Sequence, residues 1–155
     1  VLLYNFPGMS GVALRTDLVD RLVAASGDRI FGMKDSSNDA RLQSEIIERH
    51  PQLSIFPGSE SDLAEAKRRG AAGCISGSVA LWPQLAKQVF ESGDQAQASE
   101  LNRRRAALDG VPLVGAMRYR IAALRGEPEW ERTMPPQEPI SVEHREALDR
   151  ALASI

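Results

Sequence analysis

The fold is decided by one stretch, Ile30-Phe31-Gly32-Met33-Lys34-Asp35, a short apolar strand that ends in a lysine and an aspartate. The chain has only three lysines, and the other two, Lys67 and Lys87, lie in polar helical stretches where a cation normally faces water. A lysine at a strand end can simply reach solvent. Alternatively, it is an amine nucleophile of the kind used in covalent catalysis.

Strand and helix patterns alternate through residues 1–93. Short apolar runs bounded by Gly or Pro predict four strands, at residues 1–6, 29–34, 53–56 and 71–76. Strands that alternate with helical segments are typical of parallel βαβ units in α/β proteins. Four such units are half of a (β/α)8 TIM barrel, which needs about 250 residues; an open four-stranded sheet is the alternative. Because the chain begins within a strand, we expect the N-terminal half of the barrel to be missing from this sequence.

Several helix ends are marked by capping residues. Gly27 is predicted to end the first helix, Asn38 to cap the second and Pro83 to open a later one. Ser59 followed by Asp62 resembles a capping box. Residues 94–155 are predicted to form a C-terminal helical region, with helices at 95–108, 113–125 and 141–154 and a Pro-rich connector at 126–139.

Alternation along the strands predicts which side chains share a face. In the second strand it places Ile30, Gly32 and Lys34 on one face, and Phe31, Met33 and Asp35 on the other. If the second set packs under the helices, Lys34 points into the barrel at the mouth where barrel active sites lie. By the same logic Tyr4 points inward, with a hydroxyl that can donate and accept a proton; a packed core tyrosine is the alternative. We therefore expect their polar atoms to share one site; a separation above about 10 Å, well beyond hydrogen-bond or one-water reach, would contradict this.

Composition excludes several classes of protein. The 155 residues are 43% hydrophobic and 26% charged, with a formal net charge of −2, so the basic excess of a nucleic-acid binder is absent. No apolar run approaches the roughly 20 residues of a membrane span. Cys74 is the only cysteine, and His50 and His144 have no Cys or His partner nearby in the sequence, which argues against a structural zinc site. The cytoplasm is the expected compartment.

Four segments resemble the dihydrodipicolinate synthase / N-acetylneuraminate lyase family of class I, Schiff-base aldolases. Residues 4–11 (YNFPGMSG) resemble its Tyr-x-x-Pro-x-x-(Ser/Thr)-Gly segment, and residues 32–39 (GMKDSSND) its Schiff-base lysine strand. Residues 56–60 (FPGSE) and 70–77 (GAAGCISG) resemble its seventh and eighth barrel strands. The resemblance covers the whole chain but only the C-terminal half of the barrel, so residues 1–93 correspond to strands 5–8.

The resemblance implies a lyase or synthase that forms an imine between a lysine and pyruvate or another 2-oxo acid. By motif, the lysine is Lys34 and the proton-relaying tyrosine is Tyr4. Substrate binding falls on backbone groups at Gly58 and Ile75, and more weakly on Ser59, Glu60 and Gly77, which can face an aldehyde. Helix capping is the alternative for Ser59 and a tight backbone approach for Gly77. The family needs no cofactor or metal and implies a homo-oligomer, a tetramer or dimer.

Two departures from the family pattern refine these expectations. Met9 stands where true dihydrodipicolinate synthases carry a carboxylate-binding arginine. This favours a 2-keto-3-deoxy sugar acid or hydroxy-oxoglutarate substrate. The missing half normally supplies a Gly-Thr-Thr segment that holds the 2-oxo acid carboxylate, so residues 1–155 alone are expected to be poorly stable and inactive. The rival interpretation is a non-catalytic, small-molecule-binding or self-associating half-barrel of the same ancestry.

Overall fold

Three short strands, eight α-helices and three 3₁₀ turns make up the structure, a computed structural model that describes residues 1–155. The strands are β1 (Leu2–Asn5), β2 (Gly32–Asp35) and β3 (Ser54–Pro57). The helices are α1 (Pro7–Ser10), α2 (Thr16–Ser26), α3 (Ala40–Arg49), α4 (Leu63–Arg68), α5 (Pro83–Ser92), α6 (Gln95–Ala106), α7 (Leu113–Arg125) and α8 (Val142–Ala153). The 3₁₀ turns are Gly27–Arg29, Ser78–Leu81 and Pro128–Glu131. None of the helices combines the length and apolar character that a membrane span requires.

The three strands form one parallel sheet in the order β1-β2-β3, as the alternating pattern predicts. Tyr4 of β1 is in register with Lys34 of β2, and Lys34 with Phe56 of β3. Helices α2 and α3 cover one face of this sheet. The core between them is a cluster of buried apolar side chains, consisting of Val19, Ile30, Met33, Ile46, Leu53 and Ile55.

The predicted fourth strand at residues 71–76 is wrong as a regular strand. This segment runs beside β3, and the amides of Ala72 and Ile75 donate to the carbonyls of Ile55 and Pro57 at 2.9 and 3.0 Å. A regular parallel ladder would have the Ala72 carbonyl accept from the amide of residue 57, but Pro57 has no N–H. The next amide of this segment that bonds to β3 belongs to Ile75, three residues after Ala72, whereas a regular ladder would use the residue two positions after Ala72. The proline therefore interrupts the ladder although the chain keeps its place beside β3.

Two predicted helix caps are also wrong. Asp39, not Asn38, caps α3, because its side chain accepts from the amides of Arg41 and Leu42 at 3.0 Å. Asn38 instead adopts a left-handed backbone conformation with φ of 60°, which asparagine tolerates better than most residues. The capping box does not form: α4 starts after Asp62 without a side-chain cap, and the Ser59 hydroxyl bonds to the Ser61 hydroxyl at 2.9 Å.

The C-terminal helices pack both on one another and on the barrel-like part. One cluster (Leu81, Leu108, Ala116, Ile140 and Leu148) joins the turn Ser78–Leu81 to α7 and α8. A second cluster (Leu63, Ala64, Ala86, Val89 and Leu101) joins α4 and α5 to α6. Both clusters cross the expected boundary between residues 93 and 94. The division into a half-barrel and a helical region therefore describes architecture, and its status as two domains stays a proposal.

Candidate active site

Lys34 and Tyr4 meet at the carboxyl end of two neighbouring strands. The Lys34 Nζ donates a hydrogen bond to the Tyr4 Oη at 3.2 Å and lies 4.3 Å from the centroid of the Tyr4 ring. The pair forms because the two residues are in register across β1 and β2 and point to the face away from α2 and α3. Tyr4 is 53% exposed. The expected closeness of the two polar groups is confirmed.

The predicted face of the strand is correct at Met33, Lys34 and Asp35 but wrong at its start. Met33 and Asp35 are fully buried, whereas Ile30 is in the core at 6% exposure and Phe31 is 53% exposed, the reverse of the prediction. The regular strand begins only at Gly32. Before it, the Ile30 amide still closes the preceding 3₁₀ turn, so the alternation cannot be extended back to these two residues.

Ser36 belongs to this group, and sequence reasoning missed it. The polar side chain of Ser36, and next the Lys34 amine, favour the ionised form of the Tyr4 hydroxyl and hold the pKa of Tyr4 below its usual range. Gly58 leaves room for it, because a Cβ on Gly58 would lie 2.2 Å from the Ser36 Oγ. A usable signal was present: Ser36 lies two residues after Lys34, and alternation returns such a residue to the same face.

Gly58 and Ile75 offer backbone groups near the ends of the strands. Their amides are already used, since Gly58 donates to the Asp35 carbonyl at 2.7 Å and Ile75 to the Pro57 carbonyl at 3.0 Å. Neither of their own carbonyl oxygens accepts a backbone hydrogen bond. What each residue can present to a ligand is therefore an acceptor.

The three weaker substrate-binding candidates have different surroundings. Glu60 is 1% exposed, its Oε1 accepts from the Ser78 hydroxyl at 2.5 Å and its Oε2 has no partner. Ser59 faces Ser61, as described above. A Cβ on Gly77 would meet its nearest atom, the Sδ of Met117, at 3.5 Å, an ordinary contact. The tight approach considered for Gly77 is therefore not found, and none of the three contacts the Lys34 amine through a hydrogen bond.

Cys74 lies close to this part of the molecule but has a poorly reactive thiol. Burial, and next the negative charge of Glu60, raise the pKa of Cys74 to about 12, against a smaller lowering effect of Lys34. A thiol with such a pKa stays protonated near neutral pH and is a poor nucleophile. The nucleophile that this geometry favours is therefore the amine of Lys34.

Comparisons with known proteins match the whole chain. A family model described as the dihydrodipicolinate synthetase family matches residues 1–155. An uncharacterized DapA-like lyase of Chloroflexus aurantiacus is 33% identical over 160 residues, which is 100% of this chain and 53% of that protein. A probable 2-dehydro-3-deoxy-D-pentonate aldolase, YjhH of Escherichia coli, is 28% identical over 88% of this chain and 48% of that protein.

A solved structure extends the match to the fold. The crystal structure of dihydrodipicolinate synthase from Agrobacterium tumefaciens superposes with a TM-score of 0.88 at 29% identity, over 99% of this chain and 53% of that chain. The chain thus spans about half the length of the relatives it matches. The expected fold, half of a TIM barrel followed by helices, is confirmed.

Proposed function

Because the chain belongs to the dihydrodipicolinate synthetase family, we propose that the whole protein, at the length its gene encodes, is a Schiff-base aldolase or lyase. Lys34 forms an imine with pyruvate or a similar 2-oxo acid, and Tyr4 moves protons during carbon–carbon bond cleavage or formation. The observation that carries this proposal is the 3.2 Å contact between the Lys34 Nζ and the Tyr4 Oη. An amine nucleophile and a proton donor at hydrogen-bond distance are the two groups that this chemistry needs.

The proposed cleavage proceeds through covalent bonds to Lys34. The neutral amine attacks C2 of the 2-oxo acid, and loss of water from the adduct leaves a protonated imine. The C3–C4 bond then breaks as Tyr4, in its phenolate form, takes the proton of the C4 hydroxyl; the electron pair of the bond moves to the imine to form an enamine, and the aldehyde departs. The proton returns from Tyr4 to C3 of the enamine, and water hydrolyses the resulting imine, which releases the 2-oxo acid and regenerates the Lys34 amine. The lowered pKa of Tyr4, caused by the nearby Ser36 side chain and next by Lys34, eases such proton exchange.

Substrate contacts are proposed at the ends of the strands. The free carbonyl oxygens of Gly58 and Ile75 can accept hydrogen bonds from the hydroxyl groups of the substrate. Ser59, Glu60 and Gly77 remain candidates for the aldehyde portion; Glu60 would have to turn its unpartnered Oε2 towards that portion. The 2-oxo acid carboxylate would be held by groups outside residues 1–155.

Met9 bears on the identity of the aldehyde. Its side chain is 79% exposed on α1 and offers no charge to a carboxylate. We therefore propose an uncharged hydroxyaldehyde partner, as released from 2-keto-3-deoxy sugar acids, which agrees with the name of the Escherichia coli relative. The whole protein should condense pyruvate with aspartate semialdehyde weakly, and Met9→Arg should raise that activity. Efficient condensation by the unmodified protein would contradict this specificity.

The central test is borohydride reduction in the presence of pyruvate, followed by mass spectrometry. We expect a pyruvate adduct on Lys34 in the whole protein and none in Lys34→Ala. Lys67→Ala is the matched control, because that lysine lies on α4 and its amine bonds to the Glu91 carbonyl away from the sheet. Absence of any adduct, or an adduct that survives Lys34→Ala, would disprove the proposal.

A non-catalytic, self-associating half-barrel is the second candidate. The observation that favours it is the exposure of apolar side chains on the open side of the sheet, among them Phe31 and Ile75. Either the rest of a barrel or a second copy of the chain would cover them. Light scattering of the purified chain of residues 1–155 distinguishes the two, because a stable monomer would exclude self-association.

A further inference from the structure

A buried polar network lies directly behind Lys34 and Tyr4, on the helix-covered face of the sheet. At its centre is the Asp35 carboxylate, which is fully buried. It accepts hydrogen bonds from the Asn5 Nδ2 and the Gln43 Nε2 at 2.7 Å each, and from the Ser37 hydroxyl and amide at 3.0 and 3.2 Å. Four neutral donors thus surround the carboxylate, and no lysine or arginine pairs with it.

Each strand member of this network is the chain neighbour of a site residue. Asn5 follows Tyr4, Asp35 follows Lys34, and the two pairs are in register across β1 and β2. Alternation points Asn5 and Asp35 towards the helices while Tyr4 and Lys34 point to the open face. The contact between Asn5 and Asp35 therefore fixes the lateral position of the two strand ends at the level of the Tyr4–Lys34 contact.

The network is anchored to three segments outside the two strands. Gln43 belongs to α3, Ser37 to the turn after β2, and the Leu14 amide donates to the Asn5 Oδ1 at 2.9 Å from the segment between α1 and α2. Because the Asn5 Oδ1 accepts the hydrogen bond from the Leu14 amide, the Asn5 Nδ2 has to face Asp35. The orientation of the Asn5–Asp35 hydrogen bond is thereby set.

Stability alone does not explain such a network. Apolar side chains of the same shape can replace a buried hydrogen-bonded pair at almost no cost to folding. Apolar packing is non-directional, however, whereas hydrogen bonds fix distance and angle. Misplacement of a reacting group by about 1 Å can slow catalysis about 100-fold.

We propose that Asp35 is a positioning residue that acts through Asn5 and Gln43 to hold the Lys34 amine and the Tyr4 hydroxyl in reacting geometry. The inference rests on the proposed Schiff-base function. Asp35 does not touch the substrate; it keeps β1 and β2 in the relative position that sets the Tyr4–Lys34 distance.

Exchange of the two side chains tests the inference in the whole protein. Asp35→Asn places two amide groups with donors facing each other, and Asn5→Asp places two carboxylates together. The double variant Asn5→Asp, Asp35→Asn restores one donor opposite one acceptor and leaves an oxygen for the Leu14 amide. We expect Asp35→Asn to slow borohydride trapping of the pyruvate imine at Lys34 by about 10- to 100-fold, with most of the loss recovered in the double variant.

A control separates positioning from general destabilisation. Tyr119→Phe removes the 2.6 Å hydrogen bond from Tyr119 to Asp149 between α7 and α8, far along the chain from the strands. Thermal unfolding is measured for every variant. The inference is wrong if Asp35→Asn traps pyruvate at the parental rate, or if the double variant recovers none of the lost trapping rate. It is also wrong if Tyr119→Phe, at the same loss of Tm as Asp35→Asn, shows the same loss of trapping rate. Should Asp35→Asn not fold, Gln43→Met, which removes one donor, takes its place with a several-fold loss expected.

A second readout does not depend on the reaction. Ionisation of Tyr4 is followed by ultraviolet difference absorbance, with Tyr4→Phe subtracted. Because the Ser36 side chain and the hydrogen bond from Lys34 at 3.2 Å favour ionised Tyr4 and lower its pKa, loss of alignment in Asp35→Asn should raise this pKa towards the usual value, and the double variant should lower it again. If the parent forms no imine, the Schiff-base proposal fails, and this titration still decides the question of positioning. An unchanged Tyr4 titration in Asp35→Asn overturns the inference.

Discussion

The two faces of the small parallel sheet differ in how completely the chain covers them. On the face towards α2 and α3, Met33, Ile55 and Asp35 are fully buried. On the opposite face, Tyr4 is half exposed and Lys34 partly so, although both lie on the same strands. Because successive side chains of a strand point to opposite faces, the same four-residue strands contribute both to a buried core and to an exposed surface.

The two faces therefore differ in what they contribute to the stability of the fold and to the proposed reaction. The side chains on the covered face find their packing and hydrogen-bond partners within residues 1–155, so they stabilise the fold. The open face holds the amine, the phenol and the free carbonyls, and the chain spans only about half the length of its relatives. Substitutions on the open face should therefore change the reaction more than the fold. Substitutions of the apolar core on the covered face should do the opposite, and the polar network around Asp35 is the exception proposed above.

The largest effect is expected for Tyr4→Phe on the open face. Loss of the hydroxyl removes the proton carrier, so turnover of a 2-keto-3-deoxy sugar acid should fall by about 10²- to 10⁴-fold. Because the ring remains, the Tm should hardly change, and the Lys34 adduct should still form. Steady-state kinetics and thermal unfolding of the whole protein measure this. A drop in Tm as large as that of a core variant would contradict the proposed difference between the two faces.

Ile55→Ala is the complementary change on the covered face. Its side chain lies fully buried beside Met33, so the free energy of unfolding should fall by about 2–5 kcal/mol, against about 0.5–1.5 kcal/mol for Ile55→Val. Urea unfolding gives both values. The rate of pyruvate trapping per folded molecule should stay near that of the parent. A selective loss of trapping in fully folded Ile55→Val would show that the apolar core, and not only the network around Asp35, controls the site.

Gly58→Ala tests the position where the site depends on close packing. The new Cβ would lie 2.2 Å from the Ser36 Oγ, so Ser36 or β3 has to move, at a cost of about 1–3 kcal/mol. Gly77→Ala is the matched control, because its nearest neighbour is at 3.5 Å and its φ of −66° suits alanine. Chemical denaturation should show the loss for Gly58→Ala only. Equal stability of the two variants would mean that Ser36 adapts freely.

The smallest effect concerns Cys74, which packs against the helices and not on the open face. Since burial and Glu60 raise its pKa to about 12, alkylation by iodoacetamide should have its inflection well above that of the urea-unfolded chain. The sign for stability follows: the unfolded thiol, with a pKa of about 8.5, ionises first, so the free energy of unfolding falls as pH rises from there towards 12. Cys74→Ala should lack this decline. Alkylation at the rate of an exposed thiol would place Cys74 on the open face.

Much of the candidate site could be predicted from local pattern. The facing of Lys34 and Tyr4 followed from strand alternation, and the helix end at Gly27 from the preference of glycine for C-terminal caps. Ser36 could have been found by the same alternation. The network around Asp35 could not, because Gln43 comes from another element and its approach depends on how α3 packs.

The errors arise where one residue's chemistry depends on its neighbour in space. The fourth strand fails as a ladder because the partner position is Pro57, which lacks the donor that a parallel bridge requires. Ile30 and Phe31 exchange sides because a 3₁₀ turn runs into the strand.

The sequence by itself determined the parallel βα order, the family pattern and the face on which Lys34 and Tyr4 lie, because these depend on periodicities of two and 3.6 residues along one chain. Only the tertiary structure decided the 3.2 Å contact between their polar atoms, the place of Ser36 against Gly58 and the fully buried acceptor Asp35. Hydrogen bonds require distances within a few tenths of an ångström between groups distant in sequence. Such distances are set by register and packing, which no local pattern encodes.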